Sequence, residues 1–213
     1  MKVLAIETST YSGSIAVADG DRILGEYYMG MGPSHSEKLI PKVDMLLSEL
    51  EIDKGELSGL AVTAGPGSFT SLRVGISTVK GLAFALDLPV VSASSLEILA
   101  MNAPFSGHQI CPIIDARRGE VFSALFRQHG GNLARASEDA PRTLQELRSI
   151  IKEKTIFIGE GALLYKDFLE DNHGDSELGE SVFCPSYLNY PRASSLAYLG
   201  VRRLREGLSE DAA

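Results

Sequence analysis

Cysteine is nearly absent from this chain: Cys111 and Cys184 are the two in 213 residues. They are too few and too far apart for a disulfide framework, so the expected compartment is a reducing cytoplasm. Histidine is scarce as well. His35, His108, His129 and His173 fall in no HxxH, HxxxH or HExxH spacing, which argues against a catalytic zinc or iron site and leaves no metal expected. No apolar run reaches the roughly 18 residues of a membrane helix. Met1-Lys2 leads straight into a strand-like segment, so neither a membrane span nor a secretory signal is expected. No serine sits in a GxSxG elbow, and Cys111 lies mid-strand without an adjacent base. Positive charge is in deficit, with 20 Lys and Arg against 28 Asp and Glu and a formal net charge of −8. Such a balance argues against a chain that grips nucleic acid alone.

What is present is a well-supplied core. Hydrophobic residues make up 44% of the chain, which suits one large domain or two small ones. Strands are predicted over 2–6, 14–18 and 22–28, with a hairpin at Asp19-Gly20-Asp21. Ser34 and Glu37 fit a capping box. Leu39, Ile40, Val43, Leu46, Leu47 and Leu50 then form one apolar helical stripe. Pro41 either kinks that helix or delays its start. A strand over 59–64, a helix over 70–86, a strand over 89–92 and a helix over 95–101 complete a βββαβαβα order, a meander followed by right-handed crossovers. The second half begins to repeat it. A strand over 110–114 ends at Asp115, turns at Arg117-Arg118-Gly119 and runs back over 120–127. A polar loop over 128–142, a helix over 144–152, a strand over 155–158 and helices near 165–172 and 194–206 follow. Leu196, Leu199, Leu204 and Leu208 anchor the last helix. The echo suggests two α/β subdomains of one duplicated βββαβα type, 1–103 and 104–213.

Residues 63–83, TAGPGSFTSLRVGISTVKGLA, are the most informative stretch. A strand, a tight Gly65-Pro66-Gly67 turn and a helix start are arranged as they are where backbone N–H groups meet an anion or another backbone. Gly67 is followed by Ser68-Phe69-Thr70, without the lysine of a P-loop, and no GxGxxG is present. The turn either cradles a phosphate or serves a close helix–strand approach. Gly75 and Gly81 each cost a helix about 1 kcal/mol relative to alanine. Ser71, Gly75, Thr78 and Ala85 fall on one face, with Leu72 and Leu82 alongside, so another helix is expected against it, within the chain or on a partner. Glu7 and Asp115 close the first strand of each half. They either hold Mg²⁺ and a nucleotide phosphate across a cleft, or cap turns and pair with a neighbour such as Arg117. Arg202, Arg203 and Arg205 form a basic cluster that reads as a solvated face or an RNA phosphate contact.

VLAIETSTYSGSIAV, SHSEKLIPKVDMLL, GPGSFTSLRVGIS, ICPIIDARRGEVFSALF and PSYLNYPRASSLAYLG resemble the bacterial TsaB (YeaZ) family over most of the chain, most weakly between residues 128 and 183. The resemblance implies an actin/Hsp70/sugar-kinase-like (ASKHA) fold. It also implies a part in making threonylcarbamoyladenosine next to the tRNA anticodon. In that pathway one enzyme makes threonylcarbamoyl-adenylate, the larger paralog TsaD transfers the threonylcarbamoyl group to tRNA, and the ATPase TsaE joins the complex. Proteins like this one look like the non-catalytic scaffold, a homodimer when alone, meeting tRNA only through the complex. TsaD shares the start IETS but carries a metal-binding histidine pair, for which the nearest candidate here is the isolated His108. The family's partner surface maps onto Ser36, Leu39, Ile40, Val43, Ser71, Leu72, Gly75, Thr78, Val79 and Leu82. Glu7, Thr8, Ser9, Gly65, Gly67 and Asp115 are the candidates for a nucleotide or phosphate contact. No tightly bound cofactor is expected, with ATP and Mg²⁺ admitted only at a subunit interface. The competing expectation is an ATP-dependent small-molecule kinase of the same fold; a peptidase is remote.

Overall fold

A computed structural model of the chain describes residues 1–30, 35–170 and 181–210, with side chains given outside 35–38. The Ser34–Glu37 capping box, the side chain of Ser36 and His173 lie outside the described residues. The chain forms two units, Met1–Ser95 together with the chain from Arg192, and Leu96–Pro191.

The first unit opens with the meander β1 (Lys2–Glu7), β2 (Ser12–Asp19) and β3 (Arg22–Gly30). Helix α1 (His35–Glu49), strand β4 (Leu57–Gly65), helix α2 (Phe69–Leu86) and strand β5 (Val90–Ser94) follow. The five-stranded sheet has the order β3-β2-β1-β4-β5. β1 runs antiparallel to β2, with Leu4 opposite Val17, and parallel to β4, with Leu4 opposite Leu60. Leu4, Ile6, Ile15, Val17, Leu60 and Val62 share a buried cluster with Leu39, Val43, Leu46 and Leu47 of α1 and Val79 and Ala83 of α2. Burying each large side chain contributes about 1.5–3 kcal/mol. Pro41 lies inside α1, which starts at His35 and so does not wait for the proline.

The short α3 (Ser95–Ala100) leads to the second unit. It holds β6 (Gln109–Arg117), β7 (Glu120–Ser123), β8 (Phe126–His129), β9 (Asn132–Arg135), β10 (Ala140–Thr143), α4 (Leu144–Ile150), β11 (Thr155–Ile158), α5 (Glu160–Leu164), α6 (Lys166–Glu170) and β12 (Ser181–Phe183). The path β10-β7-β6-β11-β12 repeats the order of the first sheet, and β8, paired to β6, and β9, paired to β8, are added to it. β6 is antiparallel to β7 and parallel to β11, as β1 is to β2 and β4. The expected single strand over 120–127 breaks at Ala124-Leu125. There Leu125 N–H donates to Ser137 Oγ (2.9 Å) and its carbonyl accepts from Ala136 N–H (2.7 Å), so its backbone groups are taken by the following segment. The polar stretch expected as a loop therefore carries β9 and β10. A helix also begins directly at Glu160, ahead of the one expected from 165.

Helix α7 (Ala193–Arg205) departs from the expected division at 103/104 by packing with the first unit. A Cβ placed on Gly200 would lie 2.9 Å from Ala61 Cβ and 3.2 Å from Val3 Cγ1. Small residues on the sheet's second face, Val3, Ala5, Ala16 and Ala61, leave room for the buried Leu196, Ala197 and Val201. Leu208 lies beyond the helix end and is exposed, so it anchors nothing there. Arg203 Nη1 donates to the Ser92 carbonyl (2.5 Å) and Arg205 Nη1 meets Asp21 Oδ1 (3.0 Å), so two members of the basic cluster are engaged within their own unit.

Candidate functional site

At the end of β1, the polar run Glu7-Thr8-Ser9 is fully buried. Glu7 Oε1 accepts hydrogen bonds from Ser9 N–H (2.7 Å), from the Ser9 hydroxyl and from Thr63 Oγ1 (3.4 Å). The start of α2 lies directly over this run. Ser68 N–H donates to the Ser9 carbonyl (2.8 Å), and Thr8 Oγ1 donates to the Ser71 carbonyl (2.9 Å). Two glycines are explained by that closeness. A Cβ on Gly67 would stand 2.1 Å from the Ser9 carbonyl oxygen, and one on Gly75 would stand 2.2 Å from Thr8 Oγ1. The close approach read from the sequence is therefore made by the chain's own β1–β2 loop.

The second unit has the matching corner. Asp115 Oδ1 accepts from Arg117 N–H (3.0 Å), two residues ahead, as Glu7 accepts from Ser9 N–H. It also accepts from the Tyr165 hydroxyl (3.1 Å). Burial, then this hydrogen bond, raises the Tyr165 pKa. Burial, then the charge of Asp115, raises the pKa of Glu160 at the start of α5. Gly159 precedes that helix at φ +115°, and its Cβ would meet the Ile113 carbonyl oxygen at 2.2 Å. Burial pushes the Cys111 thiol up to about 12, which makes it a poor nucleophile. Among the described residues, no three His, Cys, Asp or Glu side chains are grouped to hold a metal ion.

The residues expected at a partner surface divide into two sets. Leu39, Val43, Ser71, Gly75 and Val79 are buried in the first unit. Gly75 offers no room to a second helix, because Thr8 already occupies it. Ile40 is 40% exposed, and Leu72, Thr78 and Leu82 are half-buried. The outward face of α2 is instead formed by Phe69 (73% exposed), Thr70, Arg73, Ser77, Gly81 and Phe84 (90% exposed). A Cβ on Gly81 would meet nothing within 4 Å. A groove of about 400 Å³ runs along Phe69, Thr70, Arg73, Val74, Ser77 and Thr78, with the Arg73 guanidinium 5.3 Å from the Phe69 ring centre. The sequence signal for this face was available. Ser71, Gly75, Val79 and Ala83 recur every fourth residue and are the buried stripe, so the free face lies opposite them.

Three comparisons bear on these features. Residues 30–213 match the family model TsaD, described as tRNA N6-adenosine threonylcarbamoyltransferase. The chain is 36% identical over 204 residues to the tRNA threonylcarbamoyladenosine biosynthesis protein TsaB of Bacillus subtilis, covering 94% of this chain and 87% of that protein. It is also similar to the solved structure of YeaZ from Pseudomonas aeruginosa, with a TM-score of 0.81 and 28% identity, covering 100% of this chain and 97% of the other. A ROK hexokinase from Thermus thermophilus superposes with a TM-score of 0.52 at 11% identity over 97% of this chain and 100% of its own, a likeness of fold alone. The duplicated sheets are thus those of the actin/Hsp70/sugar-kinase-like fold.

Proposed function

The chain belongs to the TsaB family of tRNA threonylcarbamoyladenosine biosynthesis proteins, and on that premise we propose that it is the non-catalytic scaffold of the complex that makes this nucleoside. It pairs with the larger TsaD-like paralog, is joined by a TsaE-like ATPase, and forms a homodimer when alone. It works in the cytoplasm and meets tRNA through the complex. It holds no cofactor tightly, and any ATP and Mg²⁺ lie at a joint surface.

The uncovered face of α2 carries this reading. Phe69 and Phe84 are largely exposed, and the helix surface between them carries Thr70, Ser77 and Gly81, with the Arg73 guanidinium laid against the Phe69 ring. A large aromatic in water is ordinary by itself, but two flanking a small-residue helix surface suit a partner helix that settles between them. Of the expected partner residues, Ile40, Leu72, Thr78 and Leu82 remain accessible to contribute. The alternative, a small-molecule kinase, would need Glu7 to face its nucleotide, whereas that carboxylate is buried and turned toward Ser9 and Thr63.

Gly81→Arg tests the reading. A Cβ at this position meets nothing within 4 Å, and replacing a helix glycine removes a cost of about 1 kcal/mol, so thermal stability should be kept or raised. Co-purification with the paralog should fall at least tenfold, and tRNA modification in the reconstituted system should fall with it. Wild-type pairing by a folded Gly81→Arg protein would refute this interface, and full modification without the chain would refute the scaffold role.

A further inference from the structure

The turn between β6 and β7 holds two residues that its backbone does not favour, Arg117 and Arg118. Arg117, Arg118 and Gly119 all have positive φ, at 69°, 54° and 81°. Arg117 and Glu120 stand opposite each other as the last residues of the backbone ladder, so Arg118 and Gly119 form a two-residue hairpin loop with both φ angles positive. Asn, Asp or Gly takes that backbone with less strain than a long side chain. The Asp115 carboxylate, itself held by Tyr165, fixes the entry to the turn through Arg117 N–H. Folding thus requires the turn but not its arginines. Both are exposed, and among the described residues neither guanidinium has an ion pair or hydrogen bond. Other arginines are mostly engaged within their own unit: Arg127 with Glu153, Arg135 with Asp139, Arg192 with Glu26 and Arg205 with Asp21. A protein of net charge −8 here presents two adjacent free guanidinium groups on a protruding turn.

We propose that the β6–β7 turn is an RNA contact, in which Arg117 and Arg118 grip backbone phosphates of the tRNA that the complex modifies. Guanidinium groups bind phosphate oxygens through paired N–H donors. An exposed tip, rather than an enclosed pocket, suits a phosphodiester chain better than a free nucleotide. The proposal rests on the scaffold reading for the delivery of tRNA, but it concerns different residues from the pairing face.

The test uses an unmodified tRNA transcript and the full chain, bound to the TsaD-like paralog or, where the two do not co-purify, alone. Affinity is measured across a salt series. The double variant Arg117→Asn/Arg118→Asn suits the turn and should keep or raise the melting temperature. It should bind tRNA about tenfold more weakly at low salt, with the slope of log affinity against log salt shallower by about 1.4, near 0.7 for each lost phosphate contact. Arg117→Lys/Arg118→Lys should keep most of the slope. Arg22→Asn, which removes another exposed arginine, should leave it unchanged. An unaltered slope in the double variant overturns the proposal. So does an equal effect of Arg22→Asn, or a double variant whose loss is confined to pairing with the paralog. Failure of wild-type pairing would instead count against the scaffold reading alone.

Discussion

The two units share one strand order but treat the loop after their first strand in opposite ways. In the first unit the β1–β2 loop folds inward, its Thr8 and Ser9 buried beneath the start of α2. In the second the β6–β7 turn points outward, with Arg117 and Arg118 in solvent. The shared parts are mechanical. A carboxylate accepts from the N–H two residues ahead in both, and a glycine ahead of the following helix presses on a carbonyl of the first strand or its loop in both. The difference follows from helix length. Helix α2 has 18 residues and a buried small-residue stripe that reaches over Thr8, whereas α5 has five residues. Duplication has preserved the joints and left the covering free to change.

Breaking the shared joints should give the largest effects. Gly67→Ala and Gly159→Ala each drive a methyl group into a carbonyl oxygen, and each should lose about 3 kcal/mol or more. Native-state hydrogen exchange reports the units separately, so the first should loosen β1 and β4 and the second β6 and β11. Equal loosening of both units by either substitution would show that they do not unfold as separate bodies. The two carboxylates should then part company. Glu7→Ala strands buried donors on Ser9 and Thr63 and should cost about 2–3 kcal/mol, while Asp115→Ala leaves partners that water can reach and should cost about 1. Matching losses in a denaturant titration would erase the contrast.

The smallest effect should be pH-dependent. The folded second unit holds the Glu160 proton more tightly than the unfolded chain does, because burial and Asp115 disfavour its charge. That contribution to stability is complete below the ordinary glutamate range and is lost as pH rises through the raised value. Glu160→Gln should therefore melt higher than wild type at neutral pH and match it in acid. Melting curves at the two pH values check this, and a constant offset would assign the effect to shape instead of charge.

The first unit was largely legible because its periodicities are long. The continuous apolar runs of β1 and β2 and the apolar stripe from Leu39 to Leu50 each span enough residues to identify the element. In β9 (Asn132–Arg135) most positions are exposed, so no inward-outward alternation marks it. The glycines of α2 announced a close neighbour without saying which; Thr8, more than sixty residues earlier, is visible only in three dimensions. The same limit hid the placement of α7, since helical spacing shows an apolar face but not the sheet that receives it. The strain in the β6–β7 turn was hidden too, because Arg-Arg-Gly reads as a turn whatever its φ angles.

The attachment of α7 to the first sheet has a consequence for synthesis. A ribosome emits Val3 and Ala61 long before Leu196 and Gly200, and it emits the whole second unit in between. The unit that begins first is thus finished last. Until then one face of its sheet waits uncovered, an aggregation-prone surface whose closure requires contacts nearly the full length of the chain apart.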